Sequence, residues 1–272
     1  PRRRLADRRF RADADPRQRD RWLRTGIVPL DYPEPVAADW PDLLRVVEEK
    51  VKPERTRKDA AGEFVLREPL PQRWWHYADK RPALYSSLHG KRQAFATVLH
   101  SKDLSFVLLP SNVVFSHALG VISLETFAAF TLVQSRSHEV WSRFFASSLE
   151  DRLRYTATDC FETFPFPDGF ETDAALEAAG REYYEFRAAL MVRNNEGLTK
   201  TYNRFHDPEE LSPDILKLRD LHSAMDAAVL TAYGWADLIP KCTCEFLLDY
   251  EDEEDDESEG KVRKRKKPWR YR

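Results

Sequence analysis

The sequence predicts an α+β fold, in which a strand-rich module is followed by a spacer of long antiparallel helices and a charged, disordered C-terminal tail. Between residues 74 and 132, short apolar runs rich in β-branched and aromatic residues alternate with polar breaks, which is typical of strands. After residue 168, apolar residues recur every three or four positions, as on helices. The two patterns meet at the segment RLRYTATDCFETFPFP, residues 152–167.

Residues 1–42 are predicted to form a basic connector. Ten arginines against four aspartates lie within the first 24 residues, and Pro33, Pro35 and Pro41 favour an extended chain after them. Because the sequence begins with proline rather than methionine, we expect this connector to follow an upstream domain.

The strand-rich module is assigned to residues 43–168. Helical spacing over residues 43–51 begins it, and an exposed charged loop is expected over residues 51–64. Four strand-like runs come next, and a helix is expected after them over residues 126–148. The runs are ALYSSL (83–88), AFATVLH (94–100), LSFVLLP (104–110) and NVVFSHALGVISL (112–124).

The helical spacer is assigned to residues 169–240. Helices are expected over residues 172–193 and 213–233, with a polar linker around residues 203–213 between them, and this arrangement suits an antiparallel pair. Gly234 is placed to cap the second helix.

Residues 241–272 are predicted to be a charged, disordered tail. Nine acidic residues lie within 249–259, and the basic stretch KVRKRKKPWRYR follows at 261–272. Blocks of like charge are usually solvated and often disordered. The basic end either binds phosphates or neutralises the acidic run, since the whole chain carries a formal net charge of −3.

No self-contained catalytic or metal site is predicted. The chain lacks the P-loop, dinucleotide-binding, HExxH, GxSxG and Asn-Pro-Pro-aromatic motifs. Seven histidines and three cysteines (Cys160, Cys242 and Cys244) show no metal-ligand spacing, and the cysteines favour reduced thiols in a cytoplasmic protein. No apolar run of about 18 residues predicts a transmembrane helix.

Basic and polar residues interleaved with aromatic ones are the candidate nucleic-acid contacts. Arginine side chains bind phosphates and guanine edges, and hydroxyl and imidazole groups supply further contacts. The predicted set is Arg73, His76, Arg81, Arg136, Ser137, Arg152, Arg154, Tyr155 and Thr156. For Arg152 and Arg154 the alternative is a solvated edge strand.

Several aromatic residues are predicted to be structural instead. Trp74 and Trp75 are expected to anchor the module's core. The FPFP sequence at residues 164–167 is expected to act as a clasp, because its prolines restrict the backbone while Phe161, Phe164 and Phe166 bury their rings.

Five blocks of sequence together resemble the C-terminal target-recognition region of large bacterial adenine-specific DNA methyltransferases. That class includes single-chain restriction–modification enzymes and related phage-defence methylases. The blocks fall in order across roughly residues 40–240. They are VKPER (51–55), WWHYADKRPALY (74–85), RLRYTATDCFETFPFP (152–167), LTKTYNRFHD (198–207) and LRDLHSAMDAAVLTAYGW (218–235).

The resemblance implies a division of labour within a longer parent protein. An upstream domain would bind S-adenosylmethionine and methylate adenine, while this region would recognise double-stranded DNA and contain neither a catalytic residue nor a cofactor. Partners would be that upstream domain and other subunits of a defence system, in the cytoplasm and away from membranes. The alternative is a protein-interaction module that docks a partner subunit, which the near-neutral charge and the acidic run favour.

Overall fold

The computed structural model describes residues 3–5, 17, 27–29, 35–75, 81–146, 148–149, 152–248 and 269–271. These residues belong to two compact units, Pro1–Pro82 and Ala83–Arg272, and each unit is described by itself. Within the described residues, no helix combines the length and the apolar character needed to cross a membrane.

The described residues of the first unit include a short parallel strand pair, a 3-10 helix at Ala37–Asp39 and a longer α-helix. Strands β1 (Arg3–Leu5) and β2 (Ile27–Pro29) pair in parallel, and helix α1 spans Pro41–Arg55. The predicted helix over 43–51 is thereby confirmed, and it extends into the expected loop as far as Arg55. Trp74 is buried and Trp75 is half-buried, and their rings lie edge-on at 5.5 Å between centroids.

The second unit contains two three-stranded antiparallel sheets. In the first sheet β3 lies between β5 and β6, and in the second β8 lies between β4 and β7. A two-stranded sheet of β9 and β10 follows them. The strands are β3 (Gln93–Val98), β4 (His100–Ser101), β5 (Val107–Pro110), β6 (Leu119–Ile122), β7 (Ser148–Leu149), β8 (Arg152–Arg154), β9 (Phe246–Leu248) and β10 (Trp269–Tyr271).

The strand predicted over residues 83–88 is wrong, because this segment forms helix α2, Pro82–Ser87. Proline is well tolerated in the first turn of a helix, where its missing N–H has no intrahelical acceptor. The other three strand-like runs contain β3 and β4, β5, and β6, as the sequence predicts.

The single helix predicted over residues 126–148 is divided into α3 (Phe127–Gln134) and α4 (Arg136–Phe145). Ser135 between them has an extended backbone, with φ −68° and ψ 158°. Its side chain accepts a hydrogen bond from the His138 N–H, so Ser135 ends one helix and caps the next.

The spacer contains three helices: α5 (Ala174–Asn194), α6 (Leu198–Phe205) and α7 (Pro213–Ala232). Helices α5 and α7 are antiparallel, because Arg193 near the end of α5 pairs with Asp214 at the start of α7, while Tyr183 packs on His222. Asp173 caps α5, and Gly234 has a φ of 75° just after α7. Helix α6 occupies the first residues of the expected linker.

The strands and the spacer helices contribute to a shared core. Phe95 and Phe106 of the sheet region cluster with Phe130, Tyr183 and Met225 of the helices. A second, smaller cluster contains residues of α3, α5 and α7. The predicted division between residues 43–168 and 169–240 stays a prediction, as does the assignment of recognition to the first segment.

The C-terminal end of the chain packs on this core. Arg270 is 1% exposed and pairs with Asp103, and the Tyr271 N–H donates to His206 Nδ1 at 3.0 Å. Disorder is predicted over residues 241–272, of which residues 249–268 and 272 lie outside the described residues. The described strands β9 and β10 are ordered parts of the fold.

Helices α3 and α5 cross closely at Gly180. A Cβ at this position would overlap Thr131 Oγ1 and the Phe127 carbonyl oxygen. We expect Gly180→Ala to lower the free energy of unfolding by about 1–3 kcal/mol through overpacking, as measured by urea titration. Gly197→Ala is the control, since nothing lies within 4 Å of a Cβ there, and it should change stability by less than about 1 kcal/mol. Equal effects of the two substitutions would contradict the close crossing.

Candidate nucleic-acid interface

Strand β8 presents alternate side chains to the core and to solvent. Leu153 and Tyr155 are 6% and 2% exposed, whereas Arg154 between them is exposed. Successive residues of a strand point to opposite faces, and the exposure of Arg154 between two buried neighbours follows that rule. The predicted contact of Arg152 with DNA stays a prediction, because its side chain lies outside the described part of the structure.

The partner strand adds a histidine to this outward face. His100 of β4 is the antiparallel partner of Arg154, and its side chain is exposed. Directly opposed residues of an antiparallel pair lie side by side on one face of the sheet. We call His100 and Arg154 the basic face.

Tyr155 supports the basic face from inside and is not available to bind DNA, which corrects the prediction. Its ring packs edge-on against Phe106, and its hydroxyl lies 3.4 Å from His138 Nε2. Its N–H donates to the Leu99 carbonyl at 2.9 Å. Burial, and to a lesser degree Cys160, raise the pKa of Tyr155, so the phenol stays neutral.

His138 joins β8 to helix α4. Burial lowers the pKa of His138 to about 4, so the ring is neutral at pH 7. Its Nδ1 lies 2.7 Å from the Val133 carbonyl, and that short contact assigns the proton to Nδ1. An unprotonated Nε2 can then accept from the Tyr155 hydroxyl at 3.4 Å, while the Cys160 carbonyl oxygen, 3.3 Å from Nε2, receives no proton from the ring.

The aromatic residues of the FPFP clasp and Phe161 pack into the fold, as the sequence predicts. The Phe164 ring is 6% exposed and packs edge-on against His138 at 4.7 Å between centroids. Phe161 and Phe166 are half-buried and pack against each other and the core. The Tyr233 hydroxyl donates to the Pro165 carbonyl at 2.8 Å, which ties the clasp to the end of α7.

Thr156 follows β8 and is half-buried. Its hydroxyl donates to Asp159 Oδ2 at 2.7 Å across the start of the helical turn Ala157–Phe161. The hydroxyl therefore already has a partner within the protein. Its contact with DNA stays a prediction.

Arg136 has a structural role, and its contact with DNA stays a prediction. Its Nε donates to Asp226 Oδ2 at 2.6 Å, and a guanidinium nitrogen donates to the Cys242 carbonyl at 2.6 Å. Burial is the largest single effect and lowers the pKa of Arg136, but the charge and hydrogen bond of Asp226, together with Cys244 and Cys242, raise the pKa overall. Ser137 follows it on α4 and is half-buried.

The remaining predicted contacts belong to the first unit. Arg73 and Arg81 are exposed, and Arg81 has a left-handed φ of 45°. His76 lies outside the described residues. None of these three is part of the basic face as the described residues define it.

His100 is absent from the predicted DNA contacts. Its place on the basic face follows from its register with Arg154, 54 positions later in the chain, and no local pattern reveals that pairing. The sequence did contain one usable signal, the alternation of faces along a strand. Leu153 and Tyr155 share one face, so Tyr155 could have been excluded from the predicted DNA contacts.

Neither a metal site nor a disulfide is present among the described residues. No group of three or more described His, Cys, Asp or Glu side chains is placed to hold a metal ion. Cys160 is buried, Cys242 is exposed and Cys244 is half-buried, and all three are free thiols.

Comparison with known proteins gives one family and one solved structure. Residues 80–168 match the family model "MmeI, target recognition domain". The solved structure is that of the Type IIL restriction-modification enzyme MmeI in complex with DNA, which matches this chain with 22% sequence identity and a TM-score of 0.48. The match covers 71% of this chain and 24% of that chain. The chain thus spans about a quarter of that enzyme's length, and no curated protein matches it. The resemblance to a restriction–modification enzyme is confirmed for residues 80–168, which are similar in sequence to the MmeI target recognition domain.

Proposed function

We propose that this chain recognises a DNA sequence as the target-recognition region of a restriction–modification enzyme. The observation that carries the proposal is the family match over residues 80–168, because the whole basic face lies within the matched segment. The residues beneath that face are buried. Leu153 and Tyr155 point into the core, where the Tyr155 hydroxyl contacts His138.

The composition of the basic face suits a DNA groove. Antiparallel pairing of β4 and β8 places His100 beside Arg154. The major groove is wide enough for paired strands, and β4 and β8 are such a pair within their three-stranded sheet. An arginine there can bind guanine O6 and N7 or a phosphate.

The parent enzyme, in this proposal, methylates the N6 position of adenine with S-adenosylmethionine. That chemistry belongs to an upstream domain, and this chain contributes no catalytic residue and no cofactor contact. Its partners are then double-stranded DNA and the methyltransferase domain of the same protein, within a cytoplasmic system of antiviral defence. The support is the ordered sequence blocks together with the absence of a Pro-Pro-aromatic motif from this sequence.

We expect Arg154→Ala to weaken DNA binding by about 1–3 kcal/mol. The measurement is fluorescence anisotropy with a labelled pool of random-sequence duplexes, followed by sequencing of the selected DNA. Loss of a base contact relaxes the selected sequence, whereas loss of a phosphate contact lowers the slope of log affinity against log salt by about 1.

Arg193→Ala is the matched control for this experiment. Arg193 is about half exposed, pairs with Asp214 at 3.0 Å on the helical surface, and lies outside the basic face. Both substitutions remove one positive charge, so a difference between them reports position rather than net charge. Indistinguishable affinities would count against the basic face.

A second candidate function is docking of a partner protein, which the outer surface of helix α4 favours. Phe144 is 81% exposed and Val140 60% exposed, and the ring of Phe144 packs edge-on against Phe145. Exposed apolar groups that adjoin one another are typical of protein interaction sites. Absence of DNA binding at low salt, together with co-purification of a partner subunit that is lost in Phe144→Ser, would support this function over the first.

A further inference from the structure

We propose that His117, together with His100, is a second DNA-contacting element beside Arg154. The inference rests on the proposed function and adds residues to its site. It comes from the connection between β5 and β6, residues 111–118, which lies within the segment matched by the family model.

This connection brings residues from one end of the sheet to the other. Strand β5 ends with Pro110 opposite Gln93, at the start of β3, and β6 begins with Leu119 opposite Val98, at its end. The connection therefore runs the length of β3, about 17 Å at 3.3 Å per residue. Its last residues arrive where β3 leads into β4 and the basic face.

The C-terminal end of the connection forms a hydrogen-bonded turn. The Leu119 N–H donates to the Ser116 carbonyl at 3.1 Å, and the Ala118 N–H donates to Ser116 Oγ at 3.3 Å. His117 occupies this turn with an exposed side chain. A preordered turn lowers the entropy that is lost when its side chain binds a ligand.

Leu99 joins this turn to the basic face. Its N–H donates to the Ala118 carbonyl at 2.9 Å, and its carbonyl accepts from the Tyr155 N–H at 2.9 Å. A Cβ at Gly120 would lie 3.2 Å from Leu99 Cδ2, so the glycine permits this close approach. Leu99, which directly precedes His100, is thus hydrogen-bonded both to the turn that contains His117 and to the residue that follows Arg154.

The exposed imidazoles of His100 and His117 suit the phosphate backbone or a guanine edge. The side chains of His100 and His117 are exposed, and neither imidazole has a hydrogen-bond or ion-pair partner among the described residues, so both rings are accessible to a ligand. An imidazole N–H can donate to a phosphate oxygen or to guanine O6 and N7, as the neighbouring guanidinium can.

The test measures the affinity of the chain for a labelled random-sequence duplex pool at low salt. We expect His117→Ala and His100→Ala each to weaken binding about tenfold, the size of one charge-assisted hydrogen bond. His117→Gln, which keeps an N–H donor, should recover part of the loss. Circular dichroism melting of each variant confirms that the fold is retained.

His89→Ala is the matched control, because His89 is exposed and precedes the opposite end of β3. Equal affinities of the His117→Ala and His89→Ala variants, with Arg154→Ala still weakened, would overturn this inference and leave the proposed function standing. A wild-type chain that does not bind the pool at low salt would overturn both.

Discussion

Arg136→Ala is expected to lower the free energy of unfolding by about 3 kcal/mol, the lower end of the cost of orphaning one partner of a buried ion pair. Asp226 is 5% exposed on its side chain and would lose its only guanidinium. The carbonyls of Cys242 and Thr243 would lose their donors as well. The Asp226 bond to the Arg136 backbone N–H, at 2.8 Å, survives the substitution and limits the loss.

A double-mutant cycle separates this role from a DNA contact. Urea titration should show that Arg136→Ala combined with Asp226→Ala is less destabilised than the sum of the two single variants, by at least about 1 kcal/mol. Additive effects within about 0.5 kcal/mol would show that the pair does not stabilise the fold. A specific loss of DNA affinity with unchanged stability would support the predicted contact of Arg136 with DNA.

Arg187→Ala is expected to cost about 3–5 kcal/mol of stability. Arg187 is 2% exposed and donates to the Tyr202 hydroxyl at 2.8 Å, the Phe106 carbonyl at 2.6 Å and Gln134 Oε1 at 3.3 Å. Its guanidinium also lies over the ring of Tyr184 at 5.3 Å. Truncation would leave a cavity and remove a donor from each of these three oxygens.

Thermal and urea unfolding of Arg187→Ala should be compared with Arg193→Ala on the same helix. Arg193 makes a surface ion pair, and such pairs contribute between about 0 and 1 kcal/mol. Arg187→Lys is informative too, because a lysine keeps the charge but cannot reach three acceptors in the guanidinium geometry. Stability of Arg187→Ala within about 1 kcal/mol of the control would show that the buried guanidinium does not hold the core together.

The elements that the sequence predicts well are those whose pattern is local. Helices α5 and α7 follow three- and four-residue apolar spacing, with Asp173 before one and Gly234 after the other. Two errors came from single residues whose local chemistry overrides periodicity. Pro82 begins a helix where a strand was expected, and Ser135 divides one predicted helix into two.

The candidate site was harder to predict, because it depends on contacts between distant positions. Arg136 and Arg154 look alike in sequence, but Asp226, 90 positions after Arg136, makes the first a structural residue. His100 reaches the basic face only through its pairing with Arg154. Arg187 has the polar character of a surface arginine, and only the packing of four aromatic rings around it reveals its burial.

The contacts within the second unit limit which segment could be transplanted into another protein. Arg187 on α5 bonds to the backbone near β5, and Arg270 bonds to Asp103. A transplant of residues 80–168 alone would therefore separate both arginines from their partners. A segment that keeps both contacts extends from Ala83 to Tyr271, and substitutions at exposed positions such as Arg154 leave both contacts in place.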